Sequence, residues 1–485
     1  MSAWCPPKGR AAGNLAALLA GRGFAMGVNL VWLVATVRLF TQTEAALLAF
    51  STLAATWLDV LKGLGMSTWL IRQLPSIRRD QPALAARMIR TYIWCSVAPL
   101  AAGTALTWAG ALAIRPDLAA PDQRTGDWTL ALLGLSLQSL ASTFLVILQC
   151  FGEMRTMALW NAWFSVAQRL VPVGLAILWS WRLPEFLLAT CLLTAASLLP
   201  AALPLRTWLA NGQGVLPWRE FWPDSRHYYS SAVLRFGAMQ LDQLLVAIFF
   251  QAPTLVTYFV LRRFYSLAVV FVSSCVDAAV PALAANATSN PEAAYKLLSG
   301  LRAFILLAGT LAACLTAANG TGLLEVLLGP VHENDAALVV LFSMAALAYG
   351  VYSVSLTGEA VMGSAARSSQ WVVVALLANV MSIPLLAGVL GANALPMSLV
   401  IGFLAGSLAA SWGSELPLTL GKRIWVRLLA VVVCGAISRA VLQTGWPAPL
   451  QVLAWNGTVA VWLLSEYGTG GFRPVAHYLA GWRPA

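Results

Sequence analysis

The sequence predicts an all-α polytopic membrane protein of about fourteen transmembrane helices. Three observations lead there. Of the 485 residues, 59% are hydrophobic and 10% charged, against roughly 25% charged in an ordinary soluble domain. The apolar residues gather into runs long enough to cross a bilayer as helices, which takes about 20 residues each. Between the runs, lysine and arginine alternate in abundance, the pattern left by successive crossings.

Taken in order, the apolar runs fall at 15–37, 45–71, 91–114, 128–150, 157–180, 185–209, 231–250, 255–282, 301–318, 336–358, 369–390, 395–412, 424–443 and 449–466. With the N-terminus in the cytoplasm, and with Arg206, Arg302, Arg427 and Arg439 near span ends counted to the adjoining segments, nineteen of the 30 lysines and arginines fall on the inside, five on the outside and six within spans. This bias obeys the positive-inside rule and places both termini on the cytoplasmic side. It also accounts for the net charge of +11, which in a soluble chain would suggest nucleic acid. The longest outside connection, near Asn319–Asp335, carries only acids, and no large external domain is expected.

Other classes of chemistry find little in the chain. The seven cysteines, Cys5, Cys95, Cys150, Cys191, Cys275, Cys314 and Cys434, form no Cys-x-x-Cys pair and fall mostly in apolar runs, where they pack as small hydrophobes. His227, His332 and His477 lie in different loops, which gives no metal-ligand spacing. No phosphate-binding loop or nucleophile elbow occurs, so neither an enzyme nor a cofactor is expected. The basic N-terminal stretch precedes a run that is long and contains Arg22, unlike a cleaved signal peptide.

The long inside segment Arg206–Tyr229 is rich in Gly, Pro and Trp and reads as a linker. The expected organisation is a six-helix lobe over 1–210, a linker over 211–230, a second six-helix lobe over 231–418, and two further helices with a tail over 419–485. A repeat supports the division. Arg22-Gly-Phe-Ala-Met-Gly-Val-Asn29 in the first span aligns with Arg235-Phe-Gly-Ala-Met-Gln-Leu-Asp242 in the seventh. Transporters are often built from such repeats, with the site at their interface.

Charges inside the spans are the candidate functional residues, because intramembrane charge is costly and persists where it has a partner or faces a cavity. Spans seven and eight carry Arg235, Asp242, Arg262, Arg263 and Asp277 and are joined by the short link Gln251–Thr254. At about 1.5 Å per residue, Asp242 and Arg262 sit roughly 11–12 Å below one membrane face, side by side. Arg235 precedes Asp242 by two helical turns, which puts both on one helix face. The alternative is a buried ion-pair cluster that only fastens two helices. In span two, Asp59 and Lys62 are neighbours on one face, either a packing pair or a coupling site. Arg169 lies with Ser165 and Gln168 before Pro172, a polar and kinked stretch. Arg22, Arg169, Arg235, Arg262 and Arg263, with Asn29, would make a cationic cavity suited to a phosphorylated or acidic substrate. Asp242, Asp59, Lys62 and Asp277 are the candidates for ion coupling.

Three groups of residues, Arg38-Leu-Phe40 with Glu44, Phe50, Gly63-Leu-Gly65 and Leu70-Ile-Arg72, then Leu241-Asp-Gln243 with Tyr258, Arg263 and Pro281, and then Gly363-Ser-Ala-Ala-Arg367 with Asn379, Pro384 and Gly391-Ala392, resemble the Wzx-type polysaccharide flippases of the multidrug/oligosaccharidyl-lipid/polysaccharide exporter superfamily. Ala45 stands where the family's Glu is usually followed by Gly, and Gly391–Ala394 lacks the second glycine of Gly-x-x-Gly. The resemblance implies two rocking six-helix lobes, a polyprenyl-diphosphate-linked oligosaccharide as substrate, membrane lipid as surroundings, and a glycan polymerase and export machinery as partners in exopolysaccharide or surface-glycan assembly. A cation-coupled multidrug exporter of the same fold is the nearest alternative, and a membrane glycan polymerase or ligase a more distant one.

Overall fold

The computed structural model describes residues 10–62, 66–119, 125–151, 154–206, 214–328, 333–362, 365–413, 423–443, 456–457 and 459–460. Among these the regular structure is entirely helical. Among the described residues, nine helical segments are long and apolar enough to cross a membrane, and Leu183–Leu199 and Ile424–Ile437 are shorter apolar helices. Each of the first thirteen expected spans falls on helix, and the fourteenth, 449–466, lies mostly outside the described residues.

The helices are α1 (Arg10–Leu39), α2 (Gln42–Leu61), α3 (Met66–Asp80), α4 (Pro82–Ile114), α5 (Pro116–Ala119), α6 (Thr125–Cys150), α7 (Met154–Ser165), α8 (Val171–Trp179) and α9 (Leu183–Ala202). They continue with α10 (Trp218–Phe249), α11 (Ala252–Ser289), α12 (Pro291–Leu328), α13 (Glu333–Met362), α14 (Ala365–Leu390), α15 (Ala394–Gly413) and α16 (Arg423–Gln443). Local chemistry sets several of the ends. Thr41 caps α2 through a reciprocal pair: its hydroxyl accepts from the Glu44 N–H, and the Glu44 carboxylate accepts from the Thr41 N–H at 2.9 Å. Pro82 and Pro116 open α4 and α5, where a missing N–H costs nothing.

Three boundaries differ from the pattern reading. The expected second span, 45–71, is not one helix: α2 stops at Leu61, and Lys62 takes an extended conformation while its N–H still reaches the Leu58 carbonyl. The link between spans seven and eight is shorter than four residues, because Ala252, Pro253 and Thr254 belong to the first turn of α11. Helix α10 begins at Trp218, well inside the stretch read as a linker. Aromatic packing explains it: Trp218 stacks on Trp222 one turn later with centroids 4.4 Å apart, and Phe221 is buried with Trp69, Tyr92 and Phe144. The Leu216 N–H, just before the helix, donates to the Thr91 hydroxyl at 2.7 Å.

The chain divides into two compact units. One comprises Ala16–Phe236 and Gln243–Phe259, and the other Gly237–Asp242 and Val260–Ala485 together with Met1–Leu15. Helix α10 therefore contributes residues to both. In the first unit, α3, α4, α6, α7 and the start of α10 bury Met66, Leu70, Leu74, Ile89, Ile147 and Phe164. A second cluster around Phe40, Leu47, Val173 and Phe186 fastens α2 to α8 and α9.

In the second unit α14 and α15 approach closely. A Cβ added at Gly402 would lie 2.7 Å from the Ala375 carbonyl oxygen, and one at Gly406 2.6 Å from the Tyr352 ring. Small residues at such positions let two backbones pack without a hydrophobic drive from lipid. Gly402→Val should therefore destabilise the second unit by about 1–3 kcal/mol or more, since a backbone oxygen has nowhere to move. A fall in thermal midpoint of the purified protein in detergent checks this, and an unchanged midpoint would contradict the close approach.

Candidate functional site

Asp242 and Arg262, predicted to lie side by side, are in contact. The Arg262 Nε donates to Asp242 Oδ2 at 3.0 Å, with the carboxylate side chain fully buried and the guanidinium side chain 3% exposed. A second guanidinium nitrogen donates to the Met239 carbonyl. The guanidinium also lies over the Tyr265 ring, 4.0 Å from its centroid. Arg262 is thus held on three sides, by charge, by a backbone dipole and by a π face.

The same stretch of α10 is covered by α14. Asn379 donates to the Ala238 carbonyl at 3.0 Å and accepts from Ser398 of α15 at 2.7 Å, while a Cβ at Gly237 would touch Leu376. This buried polar junction was not singled out as a site by the sequence reading. Asn379, an amide in the middle of an apolar run, was the available signal.

Arg235 behaves differently from its neighbour two turns away. Asp242 is fully buried, but Arg235 is exposed and has no hydrogen-bond or ion-pair partner among the described residues. The shared helix face holds in angle, but what covers a residue is decided at each depth separately. Phe236 beside it packs edge-on against Trp57, with centroids 4.7 Å apart.

The Asp59–Lys62 pair forms with N–O 2.6 Å and joins α2 to α6. Lys62 Nζ also donates to the Ser139 carbonyl at 2.7 Å and to the hydroxyls of Ser139 and Ser142, and the Ser139 hydroxyl donates to Asp59. The lysine side chain is 11% exposed and the Asp59 side chain 48%. Its position is informative: the ammonium sits just past the C-terminus of α2, where a cation complements the helix dipole.

Arg169 lies on a π-helical turn, Val166–Leu170, between α7 and α8, in which the Val171 N–H reaches back to Val166. The break follows from Pro172, which has no N–H to give. Gln168 and Arg169 border a small cavity of about 50 Å³ with Gln138, Thr52, Thr190 and Thr194. π turns of this kind recur at functional positions. Arg22 and Asn29 on α1 are half-buried, with the Asn29 amide 3.9 Å from the Met26 sulfur. Arg263 is half-buried beside Arg262. The Asp277 side chain lies outside the described residues.

A further pairing escaped the sequence reading. Arg115, counted as an outer-loop residue, is buried, binds Asp117 with two nitrogens at 2.8 and 2.9 Å, and donates to the Ala247 and Phe250 carbonyls at the end of α10. A cation on the last carbonyls of a helix is a C-terminal cap that only the tertiary fold supplies.

No family model matches the chain, and no curated protein matches it. Solved structures do. Lipid II flippase MurJ in an inward closed conformation superposes with a TM-score of 0.66 at 12% identity, over 95% of this chain and 99% of that one. A MATE structure in the straight conformation gives 0.63 at 16% identity over 88% and 97%. An outward-facing multidrug resistance MATE family transporter of the MOP superfamily gives 0.62 at 16% identity over 86% and 96%.

Two stability predictions follow from the ion pairs. Asp242→Ala should cost about 3–5 kcal/mol by stranding a buried guanidinium, while Asp242→Leu combined with Arg262→Met should recover most of it. Asp59→Asn, at a carboxylate half open to its surroundings, should cost about 1 kcal/mol or less. Thermal midpoints of the purified variants test both, and equal losses at Asp242 and Asp59 would refute the contrast. The chain is a multi-pass membrane protein with the fold that a lipid II flippase and the MATE transporters share.

Proposed function

We propose that the chain is a flippase that moves a polyprenyl-diphosphate-linked oligosaccharide from the cytoplasmic to the outer leaflet of a bacterial inner membrane, for exopolysaccharide or surface-glycan assembly. The observation that carries this reading is Arg235. A guanidinium exposed within a membrane-crossing helix, with no partner among the described residues, calls for an anion supplied from outside the chain. A diphosphate suits it, since guanidinium binds phosphate through forked, charge-assisted bonds.

The balance of intramembrane charge supports an anionic cargo. Asp242 is neutralised by Arg262 and Asp59 by Lys62, whereas Arg235 has no ion-pair partner among the described residues. The fold is also that of a protein described as a lipid II flippase, a lipid-linked cargo. In this reading the stretches 1–210 and 231–418 are the moving lobes, Arg22, Asn29, Arg169, Arg235 and Arg263 line the substrate path, and Asp242, Asp59, Lys62 and Asp277 couple the cycle to an ion. Arg262 serves as the partner that sets the state of Asp242. Glycan polymerase and export proteins would work downstream.

The rival reading, a cation-coupled multidrug exporter, draws on the MATE structures of similar fold. The two are separated by reconstituting the protein in liposomes with a fluorescent polyprenyl-diphosphate oligosaccharide in one leaflet. Transport by the parent chain, reduced at least about tenfold in Arg235→Ala and retained in part in Arg235→Lys, is the expected outcome; tenfold corresponds to about 1.4 kcal/mol, at the low end for a bond between charged groups. Saturable efflux of small cationic dyes without lipid transport would favour the exporter.

A further inference from the structure

The Lys62 ammonium lies among four oxygens. Asp59 Oδ1 stands at 2.6 Å, the Ser139 carbonyl at 2.7 Å and the Ser139 hydroxyl at 3.1 Å, and the Ser142 hydroxyl completes the set. A lysine ammonium has three N–H donors, so the shell holds one oxygen more than the donors can serve singly. Such a surplus is what a coordination shell has and a simple ion pair does not. Lys296 and Glu292 of α12 show the ordinary case, a 2.7 Å contact between side chains 76% and 78% exposed.

The oxygens are also fastened to one another. The Ser139 hydroxyl donates to Asp59 Oδ1, and the Ser142 hydroxyl donates to the Ser139 carbonyl at 2.8 Å. Carboxylate and carbonyl oxygens can only accept, so each hydroxyl spends its one proton there and turns lone pairs toward the ammonium. The cage is thus held by bonds that do not involve the lysine, and all four of its inward groups are acceptors.

The donor set names the class of ion that fits. One carboxylate, one carbonyl and two hydroxyls are hard oxygen ligands, with no nitrogen or sulfur among them. Their single negative charge balances a monovalent cation, whereas a divalent one would leave charge unmet beside the membrane-crossing helix α6. The C-terminal end of α2 adds its own preference for a cation. The Asp59 side chain, 48% exposed, leaves the cage open on one side.

We propose that Asp59, Ser139 and Ser142 form a monovalent-cation site whose resident cation is the ammonium of Lys62, and that the same oxygens bind a free alkali-metal ion once the lysine side chain is removed. The occupancy is independent of what the protein transports. Within the transport reading, on which this one step rests, it removes sodium and potassium from the ions that Asp59 couples to.

The test measures thermal midpoints of the purified full-length chain in sodium, potassium or N-methylglucamine chloride at one ionic strength. Lys62→Ala empties the cage. Its midpoint should lie below the parent's in N-methylglucamine and rise saturably, by about 2 °C more than the parent's, as sodium or potassium is substituted. Lys62→Met, whose chain still fills the cage, and Lys62→Ala combined with Asp59→Ala should show no such gain. A response in Lys62→Ala no larger than the parent's, or one that survives in the double variant, would overturn the site and leave an ordinary ion pair. A second measurement keeps the lysine in place. Acylation by a small amine-reactive reagent, mapped by mass spectrometry, should be at least about tenfold slower at Lys62 than at Lys296, the equivalent of one hydrogen bond to a charged group, and Ser139→Ala should speed it. Equal rates at the two lysines, or no change in Ser139→Ala, would also overturn the proposal.

Discussion

The constraint on which the rest of this structure depends is that charge carried into an apolar solvent has to be met where it sits. Arg262 illustrates how much is spent on one guanidinium: a buried carboxylate at 3.0 Å, the Met239 carbonyl, and the face of Tyr265. Each of these partners is then fixed in turn. Asp242 lies on the stretch of α10 that Asn379 and the α14 surface cover, and Tyr265 is held by Phe342 and Tyr349 of α13. One ion pair thereby sets the relation of α10, α11, α13 and α14 within their unit. Because the pair is dry, removing one member is far worse than removing both.

Backbone polarity imposes the same demand, and the helix irregularities answer it in three ways. Where α2 ends, the Lys62 ammonium meets the helix terminus and is shared with Ser139 and Ser142 of α6. Where Pro172 withholds an N–H, the chain takes a π turn and places Gln168 and Arg169 beside a small cavity. Where α10 ends, Arg115 from a distant loop supplies donors to the Ala247 and Phe250 carbonyls. In a bilayer an unmet carbonyl has no water to turn to, so irregular backbone survives only where protein provides the partner. The first two of these places also carry candidate residues, Asp59 with Lys62 and Arg169.

Much of this was readable in the residues. Thirteen of the apolar runs fall on helix because twenty consecutive apolar residues in a membrane have little choice but to be helical. Depth counting along α10 and α11 brought Asp242 to Arg262 because helical rise is constant. Arg235 shares the angle of Asp242 but not its cover, since α14 packs on Gly237 and Ala238 and a helical wheel carries no information about neighbours. The start of α10 was missed because Trp218–Phe221–Trp222 reads as loop composition, whereas Phe221 is buried against Trp69 and in one cluster with Tyr92, both more than a hundred positions away.

The sequence by itself determined that this is an all-α membrane protein, which residues carry charge into the membrane, and that Asp242 and Arg262 lie at one depth, since these depend on hydropathy and on a fixed rise per residue. Tertiary structure alone decided which charges are neutralised, that Asn379, Ser398 and Ala238 form a junction, and that Arg115 caps a helix far along the chain. Those outcomes rest on which surfaces meet at each depth, and contacts between segments so far apart in the chain are not encoded in any local pattern.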